Sequence, residues 1–316
     1  MDEKRLVSSE MPISEDGRTY HLGLGPKDNL PQNIFLVGDP DRVYKVANYF
    51  DAKPIIKRNL QFVTAIGSYQ NLPIAVIGTG IGPSATEIVA NELHILNEYD
   101  SEKKEWKKQL RRLNIIRLGS CAALQKEIPV GSLAISLLAV GLDNLNQDYP
   151  FCSSSSIVNT IATAVADALE KPNLYVSSTS YGMAYFLTEA CKNIGLLPYK
   201  DKGYYSGITL SSPGFYNPQN RRIGRLPEGL PPNALKVLNN FQSYALRIIN
   251  VEMESAIMFR ILGEILGYRT GTICAVLANR QTKEVFSPEE GEAAIDRCIR
   301  AGLTAMKLID ETSVKR

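Results

Sequence analysis

Ile74 to Asn97 reads IAVIGTGIGPSATEIVANELHILN, and the change of period inside it decides the fold class. Ile74 to Ile77 is a short continuous apolar run, the pattern of a strand buried on both faces. Glycines at 78, 80 and 82 follow, which permit a tight turn and a close approach of backbone to a ligand. From Ser84 to Asn97 the apolar residues recur at helical spacing. The same strand-turn-helix reading extends outward in both directions. Further strands are predicted at Ile34 to Val37, Ile115 to Leu118, Leu133 to Ala139, Leu174 to Thr179, Ile208 to Ser211, Ile248 to Val251 and Thr272 to Leu277. Helices are predicted at Arg42 to Tyr49, Ile157 to Leu169, Met183 to Ile194, Asn233 to Leu246, Met253 to Leu266 and Glu289 to Ile309. Alternation throughout predicts an α/β fold, a three-layer α/β/α sandwich on a mixed, largely parallel sheet. No Pro/Gly/Ser linker divides the chain and no repeat recurs at a fixed period.

Composition limits the function classes. The 316 residues are 44% hydrophobic and 22% charged, ordinary for a soluble globular chain. Thirty-five Lys and Arg against 33 Asp and Glu give a net charge of +2, so no global field argues for nucleic acid or a membrane surface. A small-molecule partner is expected. Five widely spaced cysteines with no CxxC predict free thiols in a reducing compartment. The polar N-terminus has no apolar leader core, and the longest apolar stretch, Val130 to Leu142, is too short to span a bilayer, so a cytoplasmic protein is expected. His21 and His94 are the only histidines, and with no Cys/His cluster no metal is expected.

Several segments carry candidate chemistry. Gly78 to Gly82 stands where a dinucleotide fingerprint would, but Pro83 occupies the third-glycine offset and the next strand ends in Gly119 and Ser120 rather than an acid. Two strand ends resemble each other. One runs into Gly38, Asp39, Pro40, Asp41 and Arg42; the other carries Arg117, Gly119 and Ser120. Two arginines, a hydroxyl and backbone amides suit an oxyanion such as phosphate. An arginine inside an apolar strand needs compensation, from an anion or from a buried ion pair. Ser211 to Arg222, SSPGFYNPQNRR, reads as a surface loop or as a base site, with Phe215 stacking on a flat ring while Gln219 and Arg221 meet its carbonyl and NH groups. Glu252 and Glu254 alternate onto one face, to grip vicinal hydroxyls or to compensate a helix N-terminus. Ser153 to Ser156 is a loop entering a helix with Ser156 as its N-cap. Asp100 to Arg112, of mixed sign, extends the preceding helix as a solvated face.

In this order the motifs resemble the nucleoside phosphorylase-I superfamily. The resemblance rests on His21-Leu-Gly-Leu, Gly38-Asp-Pro-Asp-Arg42, the Gly78 to Gly82 turn with Ile88-x-x-x-Glu92-Leu93, Arg117-Leu-Gly-Ser120, Phe215-Tyr-Asn-Pro-Gln219-Asn-Arg221, Glu252-Met-Glu254 and Asn279-Arg280. It covers nearly the whole chain. It implies a single domain over residues 1–316, with 1–30 as an N-terminal arm, in an obligate homo-oligomer, a homodimer or a hexamer of dimers with shared active sites. The implied activity is phosphorolysis of a pyrimidine nucleoside, uridine first, with inorganic phosphate as co-substrate and no cofactor. Other readings are a thymidine or purine phosphorylase, a nucleoside-binding homologue with weakened catalysis, and a nicotinamide dehydrogenase. The phosphate site implied is Gly38, Arg42, Arg117 and Ser120; the base site is Phe215, Gln219, Arg221 and Arg280. The ribose site implied is Met253, Glu254 and Glu252, with His21 from a neighbouring subunit. Leu60 stands where the family's partner-chain arginine precedes a Phe resembling Phe62, with Arg58 two residues away. Ala122 replaces a family glycine, and Pro83-Ser84-Ala85 is one place out of step. Cys121 is expected in the pocket wall rather than as a nucleophile.

Overall fold

The computed structural model describes residues 6–153, 155–227, 229–231 and 233–314. The chain gathers into two compact units, Met1–Ile115 and Ile116–Arg316.

In the first unit, residues 6–30 precede the first strand and bury Leu22 and Leu24 completely. β1 (Asn33–Val37) is buried along its whole length. Asp39 then ends the extended chain and starts α1 (Pro40–Ala47), its side chain accepting from Asp41 N while Pro40 takes the first turn. β2 (Ile55–Asn59), β3 (Phe62–Tyr69) and β4 (Leu72–Gly78) form an antiparallel meander, and β4 lies parallel to β1 with Asn33 opposite Ile74 and Val37 opposite Gly78. Gln70 and Asn71, both at positive φ (48° and 62°), make the β3–β4 turn. α2 (Pro83–Glu98) follows the glycine turn. A hairpin of β5 (Tyr99–Asp100) and β6 (Glu105–Trp106) comes next.

The second unit contains β7 (Asn114–Ala123), whose first two residues belong to the preceding unit, then β8 (Leu133–Gly141), α3 (Ser156–Leu169), β9 (Tyr175–Ser178), α4 (Met183–Asn193) and β10 (Tyr204–Ser211). It continues through α5 (Ala234–Asn240), β11 (Gln242–Ser243), β12 (Leu246–Glu252), α6 (Ser255–Met258), a π-helical segment Phe259–Ile265, β13 (Arg269–Asn279) and α7 (Pro288–Val314). Strand order β12-β10-β8-β13-β7 closes on itself, because β7 also pairs β12 through Ala122 opposite Val251 and Ala123 opposite Asn250. β8 and β12 run parallel to β10, while β13 runs antiparallel to β8. A polar chain links three of these strands: Ser136 and Thr209 hydroxyls at 2.6 Å, and Thr209 donating to Asn250 at 2.8 Å. No helix among the described residues is long and apolar enough to cross a membrane.

All eight predicted strands are present, but β2, β3 and the short β11 are additional to them. β2 is partly exposed along its length, so it lacks a continuous apolar run, and its turn into β3 uses Leu60 at φ 48° rather than a glycine. The predicted helical extension over Asp100 to Arg112 is corrected to the β5–β6 hairpin. There the Asp100 carboxylate accepts from the backbone of Glu102 and Lys103, an Asx-type turn that competes with helix. The helix predicted over Asn233 to Leu246 stops at Asn240, and Leu246 already belongs to β12. The N-cap of α3 is Ser155, not Ser156, with its hydroxyl on Val158 N. Met253 to Leu266 divides into α6 and the π segment, whose wider winding shows in Leu266 N donating to Ile261 O.

Candidate active site

β7 carries Arg117 in a strand whose first six residues are all buried. The apolar β13 lies beside it, so the guanidinium cannot reach bulk water and turns to the end of β12. There it pairs with Glu252 through Nη1 at 3.2 Å and with Glu254 through Nη2, while Nη1 also donates to Cys274 Sγ at 3.4 Å. Burial works against the charge, but Glu254 and then Glu252 outweigh it and hold Arg117 above its ordinary range. Of the two compensations open to this arginine, the structure contains the ion pair.

The two carboxylates differ. Glu252 also accepts from the Ser211 hydroxyl, from Glu254 N at 3.0 Å and from Ser255 N at 3.1 Å, so it ties the β12–α6 junction together. Glu254 is equally buried and meets Arg117 one residue pair further along. Sequence reasoning gave Gly119 only a backbone place at this strand end, yet a Cβ there would lie 1.8 Å from Arg117 Nη1 and 2.6 Å from Cys274 Sγ. The guanidinium folds back over the residue two places ahead on the same strand face, which the i, i+2 spacing of Arg117 and Gly119 could have signalled. Ser120 is partly buried in β7, and Met253 is partly buried between the two glutamates.

The loop after β10 brings four predicted residues together. A short helical turn, Asn217–Gln219, ends with Asn220 at φ 56°, which reverses the chain and returns Arg221 toward Phe215. Arg221 donates to Phe215 O at 2.6 Å and to Gln219 Oε1, and its guanidinium lies 3.9 Å over the Phe215 ring. Arg280, at the end of β13, donates to Gln219 O at 3.0 Å. Among the described residues no carboxylate pairs with either arginine. Burial, with Arg280 nearby, brings Arg221 down to about 10, and burial also lowers Arg280. Both still carry charge at neutral pH. The preceding residue, Asn279, is fully engaged: its amide donates to Gln125 O and Ile128 O while its oxygen accepts from Gln281 and Thr282.

Cys121 lies buried in β7, its thiol pushed well up by burial and by Cys274 alongside. A protonated, enclosed thiol is a poor nucleophile, in line with a wall residue.

In the first unit, Gly38 follows β1, and a Cβ there would approach Gly80 O at 3.4 Å, so the β1 and β4 ends meet closely. Gly80 and Gly82 adopt φ 75° and 98°, which favours glycine at both. Arg42 is buried in the first turn of α1. His21 is not a free loop residue. Its Nδ1 and its backbone N both lie 2.8 Å from Glu92 Oε1, and Leu22 N donates to Oε2 at 2.7 Å. Leu60 is exposed at the β2–β3 tip and Arg58 is exposed in β2.

A model of the phosphorylase superfamily matches residues 33–312. A uridine phosphorylase of Thermococcus kodakarensis is 32% identical over 92% of this chain and 88% of its own. One from Escherichia coli is 28% identical over 85% of this chain and 89% of its own. The solved structure of a Trypanosoma brucei nucleoside phosphorylase that shows uridine phosphorylase activity superposes with a TM-score of 0.85, at 31% identity, covering 93% of this chain and 98% of that one. The buried Arg117 with its two glutamates and the arginine-rich loop after β10 thus sit in an α/β chain with a mixed sheet that belongs to the phosphorylase superfamily.

Proposed function

We propose that the chain catalyses reversible phosphorolysis of uridine, giving uracil and ribose 1-phosphate, as a pentosyltransferase of pyrimidine salvage. The observation that carries this reading is the cluster of Phe215, Gln219, Arg221 and Arg280, two half-buried cations and an amide beside an exposed aromatic ring, with no carboxylate among the described residues to neutralise them. Cleaving the glycosidic bond leaves negative charge on the carbonyl oxygens of uracil, which these donors meet in the transition state. Phe215 stacks on the base. Asn279, committed to backbone, leaves no acid there to protonate a purine ring, which favours a pyrimidine.

Phosphate is assigned to Arg117 and Ser120 of the second unit. A guanidinium carries five N–H donors, so two carboxylate partners do not exhaust Arg117. Glu254 and Met253, supported by Glu252, hold the ribose, and the phosphate dianion both steadies the developing cationic sugar and attacks C1′. No metal or organic cofactor takes part. The reading places the enzyme in the cytoplasm, a reducing compartment, since all five cysteines are free thiols.

His21 acts in the site of a second subunit of a homodimer, or of a hexamer of such dimers. Supporting this, Tyr20, Leu60 and Ile81 are exposed, and Asn59 connects their neighbourhood by donating to Tyr20 O and His21 O. Arg58 takes over the charge that Leu60 does not supply. Mixed dimers of His21→Ala and Arg221→Ala chains, each weak alone, hold one intact site and recover activity; no recovery in confirmed mixed dimers places His21 within its own chain's site.

The test of the function is a panel of uridine, thymidine and purine nucleosides incubated with phosphate, with arsenate and with neither, following release of free base. Uridine is cleaved only with an oxyanion present, and chelator makes no difference. Equal rates without phosphate or arsenate would indicate a hydrolase, and binding without turnover a degraded homologue.

A further inference from the structure

We propose that Glu92 is a positioning residue for His21, and that it decides which ligand atom His21 serves. The proposal rests on the reading of His21 as an active-site group. The geometry itself lies wholly within the first unit. Glu92 is buried in α2, and its carboxylate takes three contacts from one turn of chain: His21 N at 2.8 Å and Leu22 N at 2.7 Å, with His21 Nδ1 at 2.8 Å. An ionised carboxylate only accepts, so the ring nitrogen facing it is the donor and the neutral imidazole is held as the Nδ1–H tautomer. Nε2 then carries the lone pair. The His21 side chain is 30% exposed while that of Glu92 is 6% exposed, so the imidazole is the accessible member of the pair.

The remaining neighbours fix the ring plane rather than its protons. Tyr20 and Phe62 meet it edge-on at 4.9 and 5.9 Å between centroids, and Asn59 pins the backbone from below through Tyr20 O and His21 O. An imidazole presenting a lone pair accepts a hydrogen bond from a hydroxyl and has none to donate to a phosphate oxygen. In its neutral form His21 is therefore a ribose contact and not a phosphate contact, and Glu92 is the reason.

With only two histidines in the chain, 15N-histidine labelling and long-range 1H–15N spectra read the tautomer directly, His21→Ala and His94→Gln serving to assign the signals. At a pH where the ring is neutral, wild type shows protonated Nδ1 and bare Nε2 at His21. Glu92→Gln mixes the tautomers and raises KM for uridine roughly tenfold, the loss of about one hydrogen bond, while KM for phosphate changes less than about twofold. Glu92→Asp, which keeps a carboxylate, restores part of both. The double variant with His21→Ala is no worse than His21→Ala alone. A wild-type ring protonated on Nε2, a Glu92→Gln defect that falls on phosphate, or additive losses in the double variant each overturn the proposal. If His21→Ala is fully active, the active-site reading of His21 fails instead, whichever tautomer the spectra report. Thermal unfolding of Glu92→Gln separates lost folding from lost positioning, and Glu92→Asp carries the kinetic test should Glu92→Gln not fold.

Discussion

Two arginine sites in the second unit solve opposite electrostatic problems. Arg117 is enclosed and neutralised by Glu252 and Glu254, so its charge is stabilised by the fold. Arg221 is half-buried beside Arg280 with no carboxylate among the described residues, so its charge is a cost that the fold carries, offset in part by Phe215 and Gln219. The first arrangement gives rigidity with or without a ligand. On the proposed function, the second is waiting for negative charge, which a departing uracil supplies. On that reading stability and activity depend on the same atoms at Arg117, while at Arg221 they separate.

The largest expected effect follows from removing Arg117. Arg117→Ala leaves two buried carboxylates facing each other, and breaking a buried pair in this way costs about 3–5 kcal/mol. Urea unfolding together with a phosphorolysis assay should show both stability and activity lost. Retained stability would mean that the carboxylates relax or take up a proton, and the contrast between the sites would weaken.

Arg221→Ala tests the other side. It should lower kcat/KM for uridine by at least ~100-fold, the lower end for loss of one transition-state donor, with phosphate affinity nearly unchanged. Its unfolding free energy should stay within about 1 kcal/mol of wild type, because the removed cation was disfavoured in the fold. A variant that bound phosphate poorly and uridine normally would show that the two subsites have been assigned the wrong way round.

Gly119→Ala sharpens the comparison without replacing a charged group. The new methyl would overlap Arg117 Nη1, and overpacking of this kind costs about 1–3 kcal/mol. Reduced stability accompanied by weaker phosphate binding is expected, measured by unfolding and by initial rates. Full activity with ordinary stability would show that Arg117 has another path past residue 119.

The smallest effect concerns pH. Since Arg221 lies at about 10 in the fold, below the ordinary guanidinium value, its ionisation is a penalty present in full below pH 10 and relieved only as pH rises from there to the ordinary guanidinium value. Between pH 6 and 8 the charge is constant in both folded and unfolded chains. The Tm difference between wild type and Arg221→Gln should accordingly change by no more than roughly 1 °C over that window. A larger change would reveal a titrating partner on Arg221.

Elements with a largely apolar run are legible in the sequence alone. β1, β4, β7, β8, β10 and β13 are buried over most of their length, so the pattern needs no knowledge of partners. β2 has polar and exposed positions, and only its pairing with β3 makes it a strand. Asp100 to Arg112 has good helix formers, but the Asp100 carboxylate satisfies nearby amides in a turn, and propensity yields to that local bond. For the candidate site, the FYxxQxR spacing located Phe215, Gln219 and Arg221 in advance, because residues this close in sequence must share a loop. The i, i+2 spacing placed Gly119 beside Arg117 but not the guanidinium over it, and no spacing linked Glu92 to His21. Their importance lies in what another side chain does next to them.

By itself the sequence determined the α/β class, the strand ends at which polar chemistry collects, and the superfamily, since these depend on local period and on residue types in order. Only the tertiary structure decided that Arg117 is held by Glu252 and Glu254, that Arg280 joins Gln219, and that Glu92 grips His21. Those pairs are separated by 135, 137, 61 and 71 residues. A buried charge or ring nitrogen takes its partner from whatever the folded backbone brings within about 3 Å, and no local pattern along the chain encodes that choice.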